Sequence, residues 1–249
     1  MWGFFRKATV LRADVRAFAF ILICSSFLFS QEKVPAVWTQ YGRAGVSELE
    51  SWGGLGFFRL KRLKGNTFHD LRLLGLFIPH NTLATARYKS SNKYEAFPKL
   101  YRFTVTSLRR SSVSDLNIRY HYNQGFGAFL FDRPSSHLTS EVALSYDMSD
   151  YLNDTRKTSY LKGGLFWDFD IARASFAIDF EYFHQISDIL LNETSLSRTE
   201  ISGEMNFWIR EPWLLMAGYE QEFYTAAERR NVRYIYFAIG FRRPLDWKL

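Results

Sequence analysis

The chain has 249 residues, 47% hydrophobic and 18% aromatic, with a formal charge of +7 and a single cysteine. Aromatic residues spread over the whole length exclude general disorder, and no uncharged apolar run of about 18 residues exists, which excludes a conventional transmembrane helix. Lys and Arg are interspersed with acids, without the basic runs or aromatic-plus-basic motifs of nucleic-acid binders, so nucleic acid is not an expected partner.

Residues 1–30 read as a cleaved signal peptide: Arg6, Lys7, Arg12 and Arg16 precede the apolar stretch AFAFILICSSFLF at 17–29, and the small Ser30 precedes polar Gln31 and Glu32. A lipoprotein site at Cys24 fits less well, because bulky Ile23 stands where lipoprotein processing prefers a small residue. Removing the segment lowers the net charge to about +4 and takes away the one thiol, which suits an oxidising compartment outside the cell's reducing interior. Residues 31–50 are mixed and are expected to form an N-terminal arm, with an entry strand near 37–41.

From residue 51 onward the pattern is β. WGGLGFFRLKR at 52–62 and TFHDLRLLGLF at 67–77 flank Lys64-Gly65-Asn66, residues that tolerate a tight hairpin turn. Pro79 ends that ladder, and strands at 82–89 and 99–109 follow, separated by the polar stretch 90–93. The segment 115–130 alternates Leu116, Ile118, Tyr120 and Tyr122 against Asn117, Arg119, His121 and Asn123, and Gly125 and Gly127 mark a bend or a close strand approach. After Asp132-Arg133-Pro134 come a strand at 138–146, a polar loop at 147–157 and a strand at 160–169.

The clearest alternation is ASFAIDFEYFH at 174–184. Phe176, Ile178, Phe180 and Tyr182 share one parity while Ser175, Ala177, Asp179 and Glu181 share the other, and successive strand residues point to opposite faces. Strands at 198–209, 213–224 and 232–241 complete the chain. In this half, short connections (170–173, 210–212) alternate with longer ones (187–197, 225–231), the asymmetry of outer-membrane barrels. Eleven strands are legible and closure favours an even number, so the expected fold is an all-β, antiparallel up-and-down transmembrane β-barrel of about twelve strands over 51–249.

A soluble sandwich gives the same alternation. The membrane reading is supported by aromatic residues near strand ends, namely Trp52, Tyr88, Tyr101, Trp167, Trp208 and Trp213, as interfacial girdles. Against it weigh the charged residues on first-half strands and a tail, 242–249, that runs past the last aromatic of the final strand.

The region from about 52 to 244 resembles the domain of unknown function 481 family, which includes a salt-induced outer membrane protein. The resemblance is carried by the Lys64-Gly65-Asn66-Thr67 turn, the 119–130 strand with its Gly125-x-Gly127, the 138–146 strand, and the 198–219 hairpin with its Pro212 turn. It implies a twelve-strand outer-membrane barrel without an assigned activity, and it carries over no catalytic residue.

For chemistry, His69, His80, His121, His137 and His184 are dispersed without metal-ligand spacing, and no GxSxG, phosphate loop or CxxC is present. Asp179 and Glu181 suit a hydrated lumen better than an acid–base pair. Arg119, His121, Asp179, Glu181, Glu204 and Asn206 form the expected lumen-facing set. The expected role is passive: a narrow channel or a structural or stress-related envelope component of the outer membrane of a Gram-negative-type bacterium. No catalysis and no cofactor or metal are expected; the partners are outer-membrane lipid and, during biogenesis, the barrel-assembly machinery. Two alternatives stand beside it: a lipid-modifying enzyme using His184 and Ser187, and a secreted soluble β protein that binds a hydrophobic ligand. Glu228, Arg229 and Arg230 in the 225–233 run are read first as a charged, solvated loop, with contact to anionic lipid headgroups as the alternative.

Overall fold

A computed structural model describes residues 35–249 except 80, 113–115, 152–153, 190–193, 227–230 and 246–249. The signal-peptide segment, His80, Glu228, Arg229 and Arg230 lie outside the described residues.

Twelve strands follow in order: β1 (Val37–Leu49), β2 (Ser51–Lys64), β3 (Thr67–Ile78), β4 (Asn81–Lys93), β5 (Leu100–Ser111), β6 (Leu116–Arg133), β7 (Ser136–Tyr151), β8 (Asp154–Ile171), β9 (Ala174–Gln185), β10 (Arg198–Arg210), β11 (Trp213–Tyr224) and β12 (Val232–Leu245). Each pairs antiparallel with its sequence neighbours, and β1 pairs with β12, so the sheet closes into an antiparallel up-and-down barrel of twelve strands. Closure matters because it leaves no backbone edge unpaired. Following the pairing around the circuit returns to β1 displaced by about sixteen residues, a stagger that tilts the strands by roughly 40°.

The hairpin at Lys64-Gly65-Asn66 turns on Gly65, whose φ of 53° is in the left-handed region that glycine adopts without a Cβ clash. Gly125 is a close-approach glycine: a Cβ there would meet the Val142 carbonyl oxygen at 2.0 Å. The connections after β1, β3, β5, β7, β9 and β11 lie at one end, hereafter the loop end. The termini of the barrel and the other connections lie at the turn end. In the second half the contrast of short turns at 172–173 and 211–212 with longer connections at 186–197 and 225–231 follows the sequence pattern. In the first half it does not, since 94–99 is the longest connection and lies at the turn end.

Several boundaries differ from the sequence expectation. The barrel starts at Val37, so most of the expected arm at 31–50 is β1, the strand that closes the circuit. Its Gly42, Gly45 and Ser47 blur the two-residue alternation. The polar stretches 90–93 and 147–157 are largely strand, because β4, β7 and β8 keep pairing where their side chains have turned polar. Leu116 is buried while Ile118 is exposed, because a register shift between Leu116 and Ile118 breaks the parity that the sequence suggests.

The outer face is apolar along nearly every strand, with Phe126 at 65%, Leu144 at 64% and Phe237 at 51% exposure. Phe176, Ile178, Phe180 and Tyr182 belong to it, and the opposite parity of β9 turns inward. Aromatics gather at both ends of this face. At the turn end Trp167, Phe169 and Phe176 stack in sequence, with ring centroids 4.6 and 4.9 Å apart, and Trp213 meets Phe241 edge-on. Tyr120, Tyr146, Tyr182 and Phe223 mark the loop end. Two expected girdle residues do not belong there: Tyr101 is buried in the lumen and Trp208 packs against the inner apolar cluster, because each shares the inward parity of its strand.

Candidate functional site: the charged lumen

Inward positions alternate with the apolar outer face along the strands, and in this chain those positions are rich in charge. Arg43 comes from β1, Arg59 and Lys61 from β2, Asp70 and Arg72 from β3, Arg87 and Lys89 from β4, and Arg109 from β5. Facing them are Asp168 on β8, Asp179 and Glu181 on β9, Glu200 and Glu204 on β10, and Glu220 and Glu222 on β11. The wall from β1 to β5 is therefore mostly cationic and the wall from β8 to β11 mostly anionic. Many of the first-half charges that weigh against a membrane barrel in the sequence belong to the lumen's basic wall, while Arg102 and Arg110 point outward.

All six residues of the expected lumen set point inward, and the fold joins most of them to partners the sequence does not reveal. Glu204 accepts from Arg43 Nη2 at 3.1 Å, from the Tyr236 hydroxyl at 2.8 Å and from Asn206 Nδ2 at 2.9 Å. Glu181 is paired with Lys162, which is fully buried and also lies 3.7 Å from Glu141; Glu141 in turn accepts from Lys89 and, at 2.9 Å, from the Tyr101 hydroxyl. Asp70 is gripped by Arg59 through two parallel hydrogen bonds of 2.7 and 2.8 Å and by Arg72 Nε at 2.9 Å. Forked Arg–carboxylate pairs of this kind are both strong and geometrically specific.

Near the loop end the network crosses the lumen. Glu222 on β11 lies 2.9 Å from Arg109 on β5, on the opposite side of the circuit, 3.2 Å from Arg119 on β6 and 3.4 Å from Arg198 on β10. Arg119 Nη2 also donates to the Tyr224 hydroxyl at 2.7 Å. Arg198 continues to Asp147 at 3.1 Å, and Asp147 holds the His121 ring through Nδ1, while Asn123 Nδ2 lies 3.0 Å from His121 Nε2. The side chains of Glu222, Arg119 and Arg198 are 6%, 6% and 3% exposed, so this bar is packed and not a surface decoration. Arg198 lies over the Phe183 ring at 4.3 Å, which shields it further.

Beneath the bar, three chambers follow one another. The first, about 190 Å³, lies under Arg119 and His121; the second, about 310 Å³, is central; the third, about 160 Å³, reaches Asp170 and Arg242 at the turn end. Neighbouring chambers share lining residues: Arg72, Arg87 and Glu220 border the upper two, and Lys61, Asp168 and Glu204 the lower two. Two aromatic rings enter the lumen through glycine gaps. A Cβ at Gly218 would lie 2.0 Å from the Tyr236 ring, and one at Gly127 would lie 2.2 Å from the Tyr101 ring.

His184 and Ser187 do not meet. His184 stacks on Tyr182 on the outer face, and Ser187 Oγ accepts from the Ser159 amide at 3.3 Å. His69 and His137 bond to Tyr88 and Asp132 respectively, outside the lumen network. Sequence parity, applied to every strand, identifies Arg59, Lys61, Arg72, Lys89 and Arg109 as inward residues. No sequence signal identifies which acid each one meets.

No family model and no curated protein matches the chain. Among solved structures it is similar to an outer membrane channel from Pseudomonas putida F1, with a TM-score of 0.48, 9% identity, and coverage of 87% of this chain and 97% of that one. It is also similar to the KdgM porin, with a TM-score of 0.46, 13% identity and coverage of 82% and 98%. A third is the translocator domain of autotransporter NalP from Neisseria meningitidis, with a TM-score of 0.44, 12% identity and coverage of 95% and 98%.

Proposed function

We propose that the protein is an outer-membrane barrel acting as a narrow channel for small polar solutes, shut at its loop end in this conformation by the Arg109–Glu222–Arg119 bar, and that it is a member of the domain of unknown function 481 family. The observation that carries the channel reading is the run of charge-lined chambers from the turn end to the bar. A barrel whose interior served only as packing would gain more from apolar filling, since buried ion pairs seldom stabilise a fold better than well-packed hydrophobic residues. Membrane residence is supported by an outer face that leaves large apolar side chains such as Phe126 and Phe237 uncovered, with aromatics gathered at both ends. A secreted soluble β protein would have to leave that face in water. Lipid modification by His184 and Ser187 has no support in their placement, and the role is read as passive.

The test is planar-bilayer recording of the purified barrel. The reading expects small current steps whose cation preference falls in Asp179→Asn and rises in Lys61→Gln. Absence of steps from a correctly folded barrel, in the wild type and in bar-opening variants alike, overturns it.

A further inference from the structure

The central chamber holds charges that the rest of the network leaves alone. Among the described residues, Lys61, Arg87, Asp168 and Asp179 make neither an ion pair nor a side-chain hydrogen bond, although all four line the same 310 Å³ space; Glu220, also there without an ion pair, accepts from the Tyr234 hydroxyl, and Lys61 lies 5.2 Å over the Tyr41 ring. Their neighbours are engaged: Arg59 and Arg72 grip Asp70, Lys89 is paired with Glu141, Arg43 with Glu204 and Lys162 with Glu181. Desolvated charge without a partner is costly, so these four are held either by water or by a ligand that supplies the missing partners.

Their placement selects the ligand. In a twelve-strand circuit β2 stands opposite β8 and β3 opposite β9, so Lys61 faces Asp168 across the lumen, and Arg72, whose register partner on β4 is Arg87, faces Asp179. The opposite signs are thus held on opposite walls, farther apart than ion-pair contact, with open volume between them. A lone anion would satisfy one wall and be repelled by the other, and a lone cation likewise. A molecule carrying both charges, separated by a few ångströms, satisfies both at once and lies along the field between the walls. At about 30 Å³ per water, the chamber holds about ten water-sized groups, the size of a dipeptide, whose termini are separated by roughly one residue's reach beyond those of an amino acid.

We infer that the central chamber is a binding site for a small zwitterionic solute of about dipeptide length, its cationic end held by Asp168 and Asp179 and its anionic end by Lys61 and Arg87. The assignment rests on the reading of the lumen as a hydrated channel, and binding and conduction are separately measurable. Glycylglycine is the probe, with acetate and methylammonium as single-charge controls, and saturation-transfer NMR on the full-length folded barrel in detergent micelles reads binding at equilibrium. Saturable glycylglycine binding is expected, with at least tenfold weaker binding of either control. Asp179→Asn and Lys61→Gln are each expected to weaken glycylglycine at least tenfold, while Arg102→Gln on the outer face leaves it unchanged. Heat-modifiable gel migration confirms that each variant is folded. Equal binding of acetate or methylammonium, no saturable glycylglycine binding, or unchanged binding in both folded lumen variants overturns the assignment. Binding without conductance in any variant leaves this site standing and overturns the channel reading; conductance without binding does the reverse.

Discussion

Glu222→Gln is the substitution that bears most directly on closure of the loop end. Glu222 is the shared ion-pair partner of three guanidiniums, at 2.9, 3.2 and 3.4 Å, and its side chain is 6% exposed. Removing one partner of a buried pair costs about 3–5 kcal/mol. The lower end of that range applies, because Arg198 keeps Asp147 and Glu200 and Arg119 keeps the Tyr224 hydroxyl. Arg109 is left to carry most of the loss. About 3 kcal/mol is roughly a hundredfold in an equilibrium constant, so open probability in planar-bilayer recordings should rise by about that factor or until it saturates. Glu222→Asp, which keeps the charge on a shorter arm, should rise less. A folded Glu222→Gln barrel with wild-type open probability would show that the bar does not close the channel.

Other substitutions test the two faces and the packing. Phe180→Lys places a cation in the middle of the outer face of β9 and should cost about 2–4 kcal/mol in denaturant titrations from lipid vesicles; the same charge at the inward neighbour Ala177 should cost markedly less. Gly218→Ala forces a methyl group into the Tyr236 ring, at 2.0 Å as it stands, and should destabilise the barrel by about 1–3 kcal/mol. Pairing it with Tyr236→Leu, which removes the obstructing ring, should recover part of that loss in the same titration. Alanine at His184 and at Ser187 together should leave lipid composition unchanged in mass-spectrometric profiling of outer membranes, and a change in acylation would revive the enzymatic alternative.

How far the sequence carries the fold depends on which strands are two-faced. The β11 span Trp213–Tyr224 and the start of β9 coincide with the sequence expectation, β11 because the Glu211-Pro212 turn marks where it begins and β9 because its apolar and polar residues alternate. Strand β1 is obscured by small residues, and the ends of β7 and β8 by polarity on both faces, since a strand that clears the apolar band no longer needs one greasy side. Tyr101 and Trp208 show a different limit: aromatic residues near strand ends suit a girdle, yet parity puts them inside, where Tyr101 lies over Gly127. The lumen set was legible because inward positions follow from alternation alone. Its partners were not, because only closure of the barrel brings residues such as Arg119 and Glu222, 103 positions apart, into contact.

The central claim is that lipid lies outside this barrel and water inside it, and adjacent residues of β9 test it directly. In a Cys24→Ser background, Ile178→Cys and Asp179→Cys place single thiols on opposite faces of one strand. In barrels reconstituted into lipid vesicles, a small cationic, membrane-impermeant thiol reagent present on both sides should label Asp179→Cys and spare Ile178→Cys. Labelling of Ile178→Cys with protection of Asp179→Cys would contradict the account.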